Sequence, residues 1–282
     1  MDINRKDIVN FLLQYIYIYF IAIFVLCPNI SIAQGDLLIF PKRIVFEGRE
    51  KVQSVDLINS GKDSAVYNIS FEQYRMNEFG NFEKITEPDS GQFFSSQYLR
   101  VYPRKVNLAP FESQTVKVQI LNTSQLQIGE YRSHLFFRAE KNNIPRGEEK
   151  VDTTSLSVRI EPVFGITIPC IIRRGVSNTN VLISALEIEK EGEDLYFLKM
   201  QFNRTGNMSC YGDIRVIYIS PNNKEYEVGK ANGLSVYTPG KLRKVKMQLQ
   251  KPEGVDFNNG KFKVVYTQNE SKKVIAESEV QL

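Results

Sequence analysis

The run from Ser155 to Arg173 constrains this chain more than any other stretch. Leu156, Val158 and Ile160 alternate with Ser157, Arg159 and Glu161, the period of two that marks a strand with one apolar face. Beyond Pro162 the polar positions thin out. Val163, Phe164, Ile166, Ile168, Ile171 and Ile172 predict a strand buried on both sides. The segment therefore has a half-open end and a sealed end. Proline gives no N–H to a ladder and sits mainly at edges and bulges, so Pro162 marks the half-open end as a sheet edge, able to pair with a partner strand.

The flanking sequence supplies sheets for such a strand to join. Short alternating runs are predicted at 37–46 (interrupted by Pro41), 52–57, 65–71, 98–102, 115–120 and 131–137, with turn signals such as Asn59-Ser-Gly-Lys-Asp63 between them. The stretch from Met76 to Ser96, with Gly80, Pro88 and Gly91, reads as a loop with little structure of its own. A second series follows at 181–188, 195–202, 214–219, 225–228, 242–249, 262–266 and 274–280, punctuated by Gly192, Pro221-Asn-Asn, Pro239-Gly and Asn258-Asn-Gly260. No segment after residue 33 keeps a capped helical period for two turns. The fold class is all-β: two immunoglobulin-like β-sandwich domains in tandem, over 34–173 and 181–282, joined by a linker at 174–180.

Residues 1–33 are expected to stand outside that fold. Arg5 and Lys6 precede a run from Ile8 to Leu26 that is apolar apart from Asn10 and Gln14, and Ser31-Ile-Ala33 has small residues where a signal peptidase reads. This predicts an export signal peptide. The apolar core is longer than the usual ~7–15 residues, so an uncleaved membrane anchor is the alternative. Leu26 before Cys27 speaks against lipid attachment. Export permits a disulfide between the two remaining cysteines, Cys170 and Cys210, while their apolar strand contexts suit buried thiols equally well.

A formal charge of +4 on 282 residues, with no block of five basic residues, gives no footprint for nucleic acid. The basic run Lys241 to Lys246 alternates as the wet side of a strand does. The chain has one histidine, His134, in a predicted strand, where it reads as a strand-face residue. The HExxH, GxSxG, phosphate-loop and GxGxxG patterns are absent, and Asp256-Phe-Asn-Asn-Gly260 lacks the regular acidic ligands of a calcium loop. Carboxylate pairs such as Glu148-Glu149 fall in predicted loops beside lysines. The chain is read as non-enzymatic, with no catalytic residue, metal site or cofactor.

The order of its distinctive segments resembles the periplasmic pilus chaperones, the PapD-like family. Those segments are Arg43-Ile-Val-Phe-Glu-Gly48, then Tyr102-Pro-Arg-Lys-Val-Asn-Leu-Ala-Pro-Phe-Glu-Ser-Gln-Thr-Val-Lys-Val118, then Gly129-Glu-Tyr-Arg-Ser-His-Leu-Phe-Phe137, then the central strand. The match is in motif order over Leu37 to Arg173 and mainly in size and strand content beyond. The resemblance implies a periplasmic protein, or an anchored one facing the periplasm. It would lend its edge strand to a secreted pilus or surface subunit with an incomplete β-sandwich, and deliver it to an outer-membrane secretion pore. It also implies a donor strand carrying Leu156, Val158 and Ile160, and a cleft in which an arginine and a lysine hold the subunit's terminal carboxylate. The arginine falls on Arg43. The lysine falls on Thr167, which brings no charge.

Burying three aliphatic side chains gives about 1.5–3 kcal/mol each, while association costs roughly 4–15 kcal/mol in lost freedom. Backbone pairing has to supply the difference. The alternative reading is a structural or adhesive surface protein that uses the sandwiches as spacers and its loops as contacts.

Overall fold

The computed structural model describes residues 37–140, 164–192, 195–269 and 271–282. The leading segment, Pro162 and the expected donor residues Leu156, Val158 and Ile160 lie outside the described residues.

Two sandwiches follow one another, each with its own core. In the first, β1 (Leu37–Phe40), β2 (Ile44–Phe46), β3 (Val52–Asn59), β4 (Ala65–Glu72), the hairpin β5 (Tyr74–Met76) and β6 (Phe82–Lys84), β7 (Leu99–Tyr102), β8 (Lys105–Leu108), β9 (Ser113–Ile120), β10 (Gly129–Ala139) and β11 (Gly165–Arg174) succeed one another. A four-stranded sheet runs β1-β3-β9-β7 and a five-stranded one β2-β11-β10-β4-β8. The alternation legible in sequence is the alternation of burial: Val55 and Leu57 on β3, Val116 and Val118 on β9, and Leu135 and Phe137 on β10 all point into the core. Buried Asn59 ties the turn after β3 to β8, its amide donating to the carbonyls of Asp63 (2.8 Å) and Leu108 (3.2 Å).

The second sandwich stacks β12 (Asn180–Glu191), β13 (Leu195–Thr205) and β16 (Leu242–Leu249) on a sheet ordered β15-β14-β17-β18, made of β14 (Cys210–Ile219), β15 (Glu225–Val236), β17 (Lys261–Gln268) and β18 (Val274–Gln281). Leu198, Phe202, Ile214, Val216, Phe262 and Val264 fill its core. The connection from β11 to β12 is pinned to the turn after β13. Asn178 and Asn207 exchange backbone-to-side-chain hydrogen bonds of 3.0 and 2.9 Å, and Thr179 Oγ1 donates to Met208 O at 2.8 Å. Gly206 in that turn has φ +91°, and a Cβ there would lie 2.5 Å from Asn178 O, so only glycine fits.

Three expectations need correction. Cys170 and Cys210 are free thiols buried in different cores, so they form no disulfide with each other; burial pushes both thiols up. The stretch after Met76 is not all loop, because Phe82–Lys84 pairs with Tyr74–Met76. The sealed part of the central strand is also shorter than the apolar run. Phe164 and Ile166 are 46% and 38% exposed, and full burial begins at Ile168.

Candidate functional site

Why β11 is sealed at one end only follows from its neighbours. On one side β10 pairs with it throughout, from Gly129↔Arg174 to Arg138↔Gly165. On the other, β2 pairs in parallel only with Cys170, Ile171 and Ile172. Just before β2 the chain belongs to β1, in the opposite sheet, with Pro41 between them. Among the described residues the flank of Gly165–Pro169 away from β10 is therefore unpaired, and Phe164 and Ile166 are its exposed apolar side chains. Gly165 is required by its neighbour: a Cβ there would lie 2.2 Å from the Phe136 ring.

The register places the side chains of the outer face. Continuing Ile44↔Cys170 by one residue sets Arg43 beside Pro169, and Thr167 lies two positions back on the same face of β11. On β10 that face carries Glu130, Arg132, His134 and Phe136, opposite Arg173, Ile171, Pro169 and Thr167. The second sandwich and the β5–β6 hairpin cover much of it.

At the covered end Glu130 is a buried anion held by both sandwiches. Arg173 Nε donates to Glu130 Oε2 at 3.0 Å, and Ser209 donates to the same oxygen from N (3.1 Å) and Oγ (2.6 Å). Arg173 also reaches Ser209 O (2.9 Å) and Glu47 (2.6 Å). Burial alone would lower the Arg173 pKa, but Glu130 and Glu47 outweigh it and the net shift is upward. Breaking such a pair typically costs 3–5 kcal/mol, order of magnitude. This network fixes the sandwiches to each other.

Next to it are two guanidiniums with no carboxylate within ion-pairing distance among the described residues. Arg43 stacks 4.5 Å from the Tyr211 ring centroid and 5.7 Å from that of Tyr237; Arg132 lies 4.3 Å from the latter. Arg132 is 3% exposed. One of its nitrogens, Nη2, donates at 3.3 Å to the carbonyls of Tyr74 and Thr238. Its Nε and Nη1, and Nη1 of Arg43, are buried with no hydrogen-bond partner among the described residues. Each unmet donor typically costs about 1–3 kcal/mol. Burial pulls the Arg132 pKa down; Tyr237 and Glu130 oppose that and Arg43 adds to it.

His134 sits under the hairpin, against Tyr74 (5.0 Å between centroids), Phe82 (5.3 Å) and Tyr237 (6.5 Å). Burial first, and the nearby Arg132 charge second, push its pKa down to about 3, so it is neutral at physiological pH. The hairpin is held from the far side, where Lys244 donates to Glu78 from N (2.6 Å) and Nζ (2.7 Å).

The register places Arg43 and Thr167 on one face beside the open flank. Sequence reasoning missed Glu130, Arg132, Arg173 and Tyr237. One signal was available: Glu130, Arg132 and His134 alternate with Tyr131, Ser133 and Leu135, so three polar side chains share the face of β10 that does not meet the core.

No family model matches the sequence, and no curated protein matches it. Among solved structures the chain is similar to the YadV chaperone, with 11% identity and a TM-score of 0.44 over 88% of this chain and 100% of that one. It is similar to the class 5 fimbriae chaperone CfaA, with 17% identity and a TM-score of 0.41 over 87% and 98%. It is also similar to a structure of the Salmonella enterica SafA pilin in complex with the SafB chaperone, with 10% identity and a TM-score of 0.41 over 87% and 96%.

Proposed function

We propose that this protein is an exported, non-catalytic periplasmic chaperone that caps a β-rich pilus or surface subunit by strand addition, using neither cofactor nor nucleotide. The observation that carries this reading is the flank of β11 along Gly165–Pro169, unpaired among the described residues, with Phe164 and Ile166 exposed beside it. An unpaired apolar edge invites aggregation unless a partner covers it. Covering those two side chains is worth about 1.5–3 kcal/mol each, which falls short of or barely meets an association cost of roughly 4–15 kcal/mol. Main-chain hydrogen bonds along the flank supply the remainder. Arg43, at the end of that flank, binds the guest's carboxylate; Thr167 adds no charge.

The test is Ile166→Asp. Circular dichroism should show a folded protein, and the subunit that co-purifies with the wild type from its native host should be lost. Undiminished recovery of that subunit would remove the strand-addition reading and leave the sandwiches as spacers.

A further inference from the structure

Six side-chain polar atoms buried without a hydrogen-bond partner among the described residues crowd around the β5–β6 hairpin: Oε1 of Gln73, Nε and Nη1 of Arg132, Nδ1 of His134, and Nε and Nη1 of Arg243. Each of these residues touches it. Gln73 leads into the hairpin and accepts at its backbone carbonyl from Ile85 just after it (3.0 Å). Arg132 donates to Tyr74 O, His134 packs on the rings of Tyr74 and Phe82, and Arg243 lies against Gly80 so closely that no Cβ would fit there. Buried polar groups are nearly always satisfied, so each unmet one raises the free energy of the closed arrangement.

Little opposes that cost. The two strands of the hairpin pair only with each other and join neither sheet of the first sandwich. Its root is tied down: Arg75 donates to both oxygens of Asp89 (2.7 Å each) and Lys84 to Glu72 (2.7 Å). Its tip closes on itself, with Asn77 Oδ1 accepting from the N–H groups of Phe79 and Asn81 (3.0 Å each), so the hairpin keeps its shape without the second sandwich. At the second sandwich it is held by Lys244, which bonds Glu78 from N and Nζ and lies 5.3 Å from the Phe79 ring centroid. Both partners of that ion pair are exposed, and such pairs are weak. Phe79 and Phe82 are exposed as well. A segment with few buried apolar contacts and a solvent-exposed tether is one that opens locally.

We infer that the β5–β6 hairpin is a strap between the two sandwiches that opens as a unit while both cores stay folded, hinged at Gln73 and Ile85 and latched by Glu78 on Lys244. Closed, it shuts the outer face of β10 at Arg132 and His134. Open, it bares that face to water and leaves the network of Glu130, Arg173 and Ser209 to join the sandwiches. The strap needs no guest strand to open.

His134 is the chain's own reporter. It is the only histidine, it is buried beneath the hairpin, and it is a neutral nucleophile at neutral pH. Its modification by diethyl pyrocarbonate is followed on the untagged full-length protein by ultraviolet absorbance and by peptide mass. The wild type should react slowly compared with a free histidine peptide, at a rate set by opening of the strap. Glu78→Gln and Lys244→Met should each speed the reaction roughly twofold to fivefold, the scale of one exposed ion pair, and the double variant about as much as either alone, because both remove one contact. The urea midpoints of these variants should match the wild type, which also shows that they fold. Leu57→Ala, in the core of the first sandwich, should lower the urea midpoint without speeding the reaction. Acceleration by Leu57→Ala in proportion to its lost stability would mean that His134 is reached only by global unfolding, and would overturn the strap. A wild-type rate equal to that of the free peptide would overturn it too, because the face would already be open. Unchanged rates in both Glu78→Gln and Lys244→Met, or no reaction in any folded variant, would do the same.

Discussion

The two halves of β11 make an internal comparison. Cys170–Ile172 and Gly165–Pro169 belong to one strand, pair with the same neighbour and carry similar apolar side chains, yet one half is sealed and the other open. The difference is a third strand that reaches three residues and no further. What a β-strand can do for a partner is thus set less by its own composition than by where its second neighbour ends.

The comparison breaks most visibly in the sealed half. Ile172 is 3% exposed and faces the core, so Ile172→Asp buries an unpaired charge and should cost more than ~4 kcal/mol in urea denaturation. A small loss there would mean that the sealed half is open in solution.

The junction of the halves, where His134 faces Pro169, gives an intermediate effect through pH. The folded pKa of His134 is about 3 and its ordinary value is 6.5, so the unfolded chain binds the proton first as pH falls. The stabilising contribution of neutral His134 is complete above pH 6.5 and is lost as pH falls toward 3. Between pH 7.5 and 5 the wild type should lose about 2 kcal/mol more than His134→Phe. Parallel pH profiles for the two proteins would show that His134 is solvated, and that the hairpin does not cover it.

The smallest stability effect belongs to the open half. Ile166→Asp should change the unfolding free energy by no more than ~0.5 kcal/mol, while removing guest binding altogether. A large destabilisation would show that this half is part of the core, and the contrast between the halves would disappear.

Much of the fold was legible because period-two alternation reports directly which face of a strand meets a core, and the turns were marked by Gly, Pro and Asn. The hairpin after Tyr74 was not. Phe82-Glu-Lys84 is too short and too polar to show a period, and it pairs only because Tyr74 and Phe82 pack on His134. Within the site, Arg43 and Thr167 came from motif order. Arg132 is indistinguishable in sequence from a surface arginine on a strand, since its burial depends on Tyr237, more than a hundred residues away.

By itself the sequence determined the all-β class, the two successive series of strands and an edge somewhere in the central run, because these depend on local alternation and on proline's missing donor. Only the tertiary structure decided that the open flank begins below Cys170, that Cys170 and Cys210 sit in separate cores, and that Arg43 and Arg132 share one tyrosine. Each of those facts depends on which strand ends beside which, and distances between residues far apart in the chain are written in packing, not in local pattern.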